Sequence, residues 1–305
     1  MHDTPLITKR DLLQVPRGFL MGVADVIPGV SGGTVALILG IYERLVTAIS
    51  HVDLQLLDDV RRGRWRAAAA HLDVGFLALL LSGIVLGFLS LANVMHYLLE
   101  HQQQHTYAVF FGLILASSLL VARLIRLWTP LVIINLVAGA AFAYWLVGLL
   151  PAVPPAGLWY VFVCGMIAIC AMILPGISGS FILLILGKYD DILGIIKEMT
   201  RGHVTGEGIG VVVVFATGCV IGLVGFSKFL KWLLATHYNG TMALLCGFMV
   251  GSLRKIWPFK GAESKETGLN NLWPDLSQSS TWLSLLLIAV AFVLVFVLDR
   301  LSRRV

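Results

Sequence analysis

Four segments of this chain contain no Asp, Glu, Lys or Arg over a length close to, or above, the roughly 18 to 20 residues that cross a bilayer. They cover residues 75–99, 131–150, 208–227 and 282–298. Two shorter segments, 107–122 and 241–253, can also span the membrane if the basic residues at their ends extend towards the head groups. The sequence therefore predicts an all-α polytopic membrane protein with six spanning helices.

The composition supports this prediction. Only 13% of the 305 residues are charged and 58% are apolar, whereas soluble domains carry about 25% charged residues. The net charge of +5 lies mainly in loops, which indicates contact with membrane lipids rather than nucleic acid. Cys164, Cys170, Cys219 and Cys246 lack metal-ligand spacing. We therefore predict no metal, no disulfide and no cofactor, and no feature specifies an oligomeric state.

An internal repeat divides the chain into two related halves. The segment from Ile27 to Glu43, IPGVSGGTVALILGIYE, matches the segment from Leu174 to Asp190, LPGISGSFILLILGKYD, at an offset of 147. Gly75 and Gly210 begin a further set of matches at an offset of 135. We predict a first repeat at 1–152, with a re-entrant hairpin at about 15–50 and spans at about 75–99, 107–127 and 131–150. The second, at 153–305, has a broken hairpin at about 157–199 and spans at about 208–235, 241–257 and 281–299.

The number of crossings predicts how the halves are oriented. If each broken segment enters and leaves on one face, three crossings per half leave the second repeat inverted relative to the first, as in many secondary transporters. Lys9 and Arg10 precede the first hairpin, Arg17 lies at its start and a cluster of arginines at 61–66 follows it, so the positive-inside rule places both ends of the hairpin in the cytoplasm. Arg201 and Arg254 fit the rule less well, because they would lie outside. We predict two inverted repeats with both termini cytoplasmic.

Each half contains a Pro-Gly-x-Ser-Gly motif that breaks a helix at membrane depth. Proline disfavours helical geometry in the residue before it, so helices should end at Ile27 and Leu174, and Ser31 and Ser178 can cap the helices that follow. The free N–H groups at such a helix start bind anions, especially phosphate. A tightly packed kink is the alternative for either motif. The candidate phosphate ligands are Ser31, Gly32, Gly33, Thr34, Ser178, Gly179 and Ser180.

Two acidic residues are candidates for coupling or gating. Asp25 lies three residues before Pro28, and a charge at the bilayer centre costs about 2.5 to 3.5 kcal/mol. The equivalent residue in the second half is Met172, so Asp25 is a candidate proton carrier, with capping of the broken backbone as the structural alternative. Glu43 should lie about 18 Å along the second arm. There it could pair with Arg17 or Arg44.

The residues around both breaks resemble a known family. The segments Ala24 to Thr34 (ADVIPGVSGGT), Gly40 to Glu43 (GIYE) and Leu174 to Ser180 (LPGISGS) are similar to bacterial polyprenyl-phosphate translocases of the PopT group, formerly a domain of unknown function. The resemblance covers essentially the whole chain. It implies a transporter, not an enzyme, which returns undecaprenyl phosphate across the bacterial cytoplasmic (inner) membrane for reuse in peptidoglycan and other envelope polymers.

This resemblance leads to a structural expectation about the substrate. The polyprenyl tail stays in lipid, because removing it would cost about 0.8 kcal/mol per CH₂, and only the phosphate needs a polar route. We expect a laterally open groove between the two motifs. Arg17, Arg44 and Lys188 are expected to attract the head group at its mouths.

Two other functions are compatible with the sequence. A small-anion channel or exchanger would also direct helix N-termini at a central anion. An intramembrane serine hydrolase fits less well, although Ser31 and Ser178 each lie in a Gly-x-Ser-Gly motif. Its serine needs a general base, and His96, near the outer end of its span, is predicted to be an interfacial packing residue.

Overall fold

The computed structural model describes residues 11–26, 31–261 and 271–302, and within them the regular structure is helical apart from one isolated β-bridge. A short 3₁₀ turn at Asp11–Leu13 precedes the first helix. The first half contains α1 (Gln14–Asp25), α2 (Gly32–Ile38), α3 (Tyr42–Ser50), α4 (Leu54–Arg61), α5 (Trp65–His71), α6 (Val74–His101), α7 (Gln103–Ala122) and α8 (Pro130–Leu146). The second contains α9 (Leu158–Ile173), α10 (Gly179–Ile185), α11 (Tyr189–Thr200), α12 (Gly206–Thr236), α13 (Tyr238–Ser252) and α14 (Ser279–Ser302). The predicted all-α class is confirmed.

The protein is a multi-pass membrane protein. Of the helices described, α6, α7, α12 and α14 are long and apolar enough to cross a bilayer. Helices also occupy the other two predicted spans, but α8 has 17 residues and α13 has 15, which is short for a straight crossing. The helices end before the approximate predicted ends of 127 and 257, α7 at Ala122 and α13 at Ser252.

Four helix pairs provide most of the packing between elements. They are α1 with α6, α9 with α12, α7 with α14, and α8 with α13. The first two pairs are equivalent under the sequence repeat, and so are the last two. The last helix of each half therefore packs on the other half, and the halves are interleaved. The boundary at residues 152 and 153 and the inverted orientation stay predictions.

Small residues allow the paired helices to touch backbone to backbone. Gly22 of α1 lies against the carbonyl of Ile84 in α6, and a Cβ at Gly22 would overlap that backbone. Gly87 of α6 faces α1 in the same way, and Gly218 and Gly222 of α12 face α9. Such close approach is a main source of helix association in lipid, where burial of apolar side chains gives little driving force. These glycines therefore hold α1 against α6 and α9 against α12, and α1 and α9 are the helices that lead into the two breaks.

The arm after each break bends within about two turns. The axes of α2 and α3 differ by 117°. Gly40, between them, has φ +68°, and its repeat equivalent Gly187, between α10 and α11, has the same value. A glycine in this left-handed conformation ends a helix at low cost. The prediction that Glu43 lies about 18 Å along a straight arm is therefore wrong.

Candidate functional site

A cavity of about 300 Å³ lies where the two broken segments meet. Its polar lining comes from both halves of the chain, and one side is formed by α6. The lining residues are Asp25, Ser31, Ile84, Val85, Phe88, Leu89, Met172, Ser178, Gly179 and Ser180. The structure thus brings the serines of the two motifs to one space.

Ser31 links the two motifs directly. As predicted, it is the N-cap of α2, and its Oγ accepts a hydrogen bond from the amide of Gly33 at 3.1 Å. The same hydroxyl lies 3.1 Å from the carbonyl oxygen of Met172 and 3.2 Å from that of Leu174, to which it can donate. These carbonyls are at the end of α9, where a helix leaves backbone acceptors unpaired. Ser31 therefore provides a hydrogen-bond donor for the carbonyl groups at the second break, and it also lines the cavity.

Thr34 also stabilises the second break and does not line the cavity. Its side chain is buried, and its Oγ1 accepts a hydrogen bond from the amide of Gly176 at 2.9 Å. Gly33 packs against the carbonyl of Ile173. Gly32, Gly33 and Thr34 are absent from the cavity lining, and their polar groups have other partners: the two glycine amides donate to Asp25 and Ser31, and Thr34 joins the two motifs.

Asp25 closes the first break. Its Oδ1 accepts a hydrogen bond from the amide of Gly32 at 2.6 Å, so the carboxyl group caps α2 across the break while it also lines the cavity. The capping role considered from the sequence is thus present in the structure.

The second half has no equivalent of this carboxyl cap. Ser178 is the N-cap of α10, as predicted, but it makes no side-chain capping bond. Its Oγ lies 2.8 Å from the Oγ of Ser180. Within the described part of the chain, no hydrogen bond is made by the amides of Gly179 and Ser180. Donors are therefore available to a ligand on the second side of the cavity.

Arg44 is held by two carboxylates. Its guanidinium lies 2.7 Å from Asp73 and 3.0 Å from Asp11, and it stacks on the ring of Phe76. Among the described residues, no ion pair joins Glu43 to Arg44 or to Arg17, and the Arg17 guanidinium donates to the side chain of Gln14.

The remaining charged candidates also lie outside the cavity wall. Lys188 pairs with Asp191 at 2.7 Å, and Glu43 is exposed. Together with Arg17 and Arg44, these side chains are absent from the lining of the cavity between the motifs. A role in attracting or gating a head group stays a prediction.

The apolar wall on α6 was missed by sequence reasoning. Val85, Phe88 and Leu89 are 48%, 47% and 68% exposed, so the cavity opens sideways towards lipid along this helix. A signal was available in the glycine pair Gly83 and Gly87, which marks the face of α6 that packs on α1. Residues next to that face meet the end of α1, where the chain breaks.

Comparison with known proteins agrees with the resemblance found in the motifs. Residues 21–271 match the family described as VCA0040-like: undecaprenyl phosphate translocase-like. The chain is 38% identical over 303 residues to a polyprenyl-phosphate transporter of Vibrio cholerae serotype O1, covering 94% of this chain and 96% of that protein. It is 30% identical over 261 residues to a polyprenyl-phosphate transporter of Staphylococcus aureus, covering 81% and 86%.

No solved structure matches the chain. The family match spans both broken segments and more than half of the sequence, and the two relatives align over most of their own length. These findings confirm the resemblance. This chain belongs to the undecaprenyl phosphate translocase-like family.

Proposed function

We propose that this protein moves undecaprenyl phosphate across the bacterial cytoplasmic membrane, so that the carrier lipid can be reused in envelope polymer synthesis. Two relatives named polyprenyl-phosphate transporters support this substrate class. The observation that carries the proposal is the form of the central cavity. It has hydroxyl groups from both motifs at its polar side and an apolar side open towards lipid.

The polar side suits a phosphate. The hydroxyls of Ser178 and Ser180 share one hydrogen bond, which leaves a second hydroxyl hydrogen for a ligand, and the nearby amide of Gly179 adds a donor. Hydrogen bonds to a charged acceptor are stronger than those between neutral groups. Ser31 borders the same space from the first motif. Thr34 holds the second motif against the first from behind the cavity, and the amides of Gly32 and Gly33 complete the cap of the first motif.

The apolar side suits the tail. Ile84, Val85, Phe88 and Leu89 can contact the first isoprene units while the rest of the chain stays in the bilayer. This arrangement avoids the cost of about 0.8 kcal/mol for each CH₂ removed from lipid. A free small anion gains nothing from such a wall, so the cavity favours a lipid phosphate over the anion-exchange alternative.

The interleaved halves suggest how the site changes sides. Equivalent helix pairs and the matched glycines Gly40 and Gly187 support two structurally similar halves, and we propose that they are inverted and rock around the cavity. Both termini would then be cytoplasmic. Outside the cavity, Arg17, Arg44 and Lys188 would attract the approaching head group. Glu43 would contribute to gating.

Lipid flipping by the purified protein tests this proposal. Liposomes that contain the folded protein are expected to move labelled undecaprenyl phosphate between leaflets faster than empty liposomes. Unlabelled undecaprenyl phosphate should compete, whereas chloride or inorganic phosphate at similar concentration should compete weakly. A rate equal to that of empty liposomes would refute the proposal, and efficient competition by free anions would favour an exchanger.

We also propose that Asp25 couples transport to protons. A deprotonated carboxyl group would repel the phosphate across the cavity, so the wild-type flipping rate is expected to fall as pH rises. Asp25→Asn should make the rate nearly independent of pH, while its side-chain oxygen can still accept the Gly32 hydrogen bond. Asp190→Asn, an exposed change outside the cavity, is the control. Unchanged pH dependence in Asp25→Asn would remove the coupling role.

A further inference from the structure

A second cavity, of about 420 Å³, lies near the end of α13, apart from the cavity between the motifs. Aromatic side chains form much of its wall, including Phe111, Tyr144, Trp257 and Trp273. Arg254 is the charged residue of the lining. We refer to this cavity as the Arg254 groove. The groove thus combines one cationic side chain with aromatic walls, whereas the polar lining of the central cavity consists of serine hydroxyls and Asp25.

The Arg254 guanidinium is positioned but not neutralised. It lies 4.2 Å over the ring of Tyr144, and its Nη1 donates to the Tyr144 carbonyl at 2.8 Å. The tip packs against Gly148, where a Cβ would overlap it. Within the described residues, no carboxylate forms an ion pair with Arg254. A guanidinium has five donors, so most of them are available to an anion.

The walls of the groove are fixed by hydrogen bonds. The side-chain amide of Asn271 donates to the Arg254 carbonyl at 2.9 Å, and the indole of Trp257 donates to the Leu272 carbonyl at 2.8 Å. These bonds hold the segment before α14 across the end of α13. They use the one indole hydrogen of Trp257 and one of the two amide hydrogens of Asn271, which leaves the Arg254 guanidinium as the charged donor for a ligand.

The exposed rings indicate where the groove lies in the membrane. Tyr144 and Trp273 are 55% and 89% exposed. Tyrosine and tryptophan with this exposure are typical of the membrane–water interface, where lipid phosphates also lie. Met249, about 7.5 Å before Arg254 at helical rise, packs against Gly176 of the second break. The exposed rings favour a position at the interface, and α13 connects the groove to the second break through Met249.

We propose that the Arg254 groove is a second binding site for a lipid phosphate monoester. A bare phosphate needs only the guanidinium, and its apolar chain suits the aromatic walls. A phosphate monoester carries up to two negative charges, whereas the phosphodiester of a glycerol lipid carries one, so the monoester gains more from the guanidinium. The choice of ligand rests on the proposed function, and the groove would hold a substrate molecule at the interface before it enters the central cavity.

Native mass spectrometry of the full-length protein with undecaprenyl phosphate tests this proposal. The wild type is expected to bind two molecules, and Arg254→Gln should weaken one of them roughly tenfold or more. Arg254→Lys keeps the positive charge but lacks the planar guanidinium, so its affinity for this molecule should lie between those of the wild type and Arg254→Gln. Arg123→Gln is the matched control, because Arg123 also stacks on a ring, that of Phe296, but lies outside the groove. Size-exclusion chromatography and thermal unfolding confirm that each variant is folded.

The combined variants separate the two sites. Ser178→Ala/Ser180→Ala should lose the other molecule, and adding Arg254→Gln should remove both. Wild-type occupancy in Arg254→Gln would overturn the groove while leaving the central site intact. If Arg254→Gln loses one bound molecule and the serine variant loses none, the result would support the groove and count against the proposed central site. Phosphatidylglycerol occupying the groove as well as undecaprenyl phosphate does would overturn the choice of a monoester, and no binding by the wild type would overturn both proposals.

Discussion

Replacing Ser178 and Ser180 together by alanine is expected to lower the rate of undecaprenyl phosphate flipping about tenfold to a hundredfold. The two hydroxyls line the central cavity, and because one of them donates to the other, one hydroxyl hydrogen is left for a phosphate that has left water. A hydrogen bond to a charged group contributes about 1.5–3 kcal/mol, and the variant loses this contribution to binding. The measurement is the initial flipping rate in liposomes at equal protein content.

Serines that do not line the cavity provide the control. Ser82 and Ser90 of α6 are exposed, and their hydroxyls donate to carbonyls of their own helix at 2.8 and 2.7 Å. Ser82→Ala/Ser90→Ala should flip lipid at close to the wild-type rate. If the Ser178/Ser180 variant did the same while folded, the phosphate would have to bind elsewhere.

Gly22→Ala is expected to destabilise the protein and to reduce transport together. The new Cβ would overlap the backbone of Ile84, so α1 must move away from α6. Overpacking of this kind typically costs about 1–3 kcal/mol. The shift also displaces Asp25, one turn further along α1, from its position beside the cavity. Thermal unfolding in detergent and flipping in liposomes measure the two effects.

Gly225→Ala is the matched change on a helix of the other half. Gly225 lies in α12, and a Cβ there would meet no atom within 4 Å. Alanine favours helix by up to about 1 kcal/mol over glycine, so this variant should be as stable as the wild type or slightly more so. If the two variants had the same thermal stability and the same flipping rate, the close contact between α1 and α6 would not be important for either property.

The sequence predicted the fold class because charge-free length is a direct consequence of the bilayer. It also predicted Ser31 and Ser178 as N-caps, since a residue that follows Pro-Gly-x and precedes glycine has few other roles. It missed the bends at Gly40 and Gly187. Glycine in a helical pattern is compatible with a continuous helix, and only the positive φ identifies the turn.

The candidate site was predicted less completely, because sequence does not show which donors are already used. Gly33 and Thr34 have the residue types of phosphate ligands, yet the Gly33 amide donates to Ser31 of its own motif and the Thr34 hydroxyl accepts from Gly176 of the opposite motif. Arg44 has the charge expected at a mouth, but Asp11 and Asp73 neutralise it. These partners are distant in sequence, and nothing in the local pattern specifies them.

The helices that follow the two breaks are capped differently, and this difference affects the transport cycle. One helix start is occupied by the chain's own carboxyl group, Asp25, whereas the matching place in the other half carries the thioether of Met172. On the proposed mechanism, the inward-facing and outward-facing forms therefore differ in free energy. Even with equal lipid in both leaflets, the unloaded carrier would dwell longer on one side of the membrane, and the strength of that preference would change when Asp25 takes up a proton.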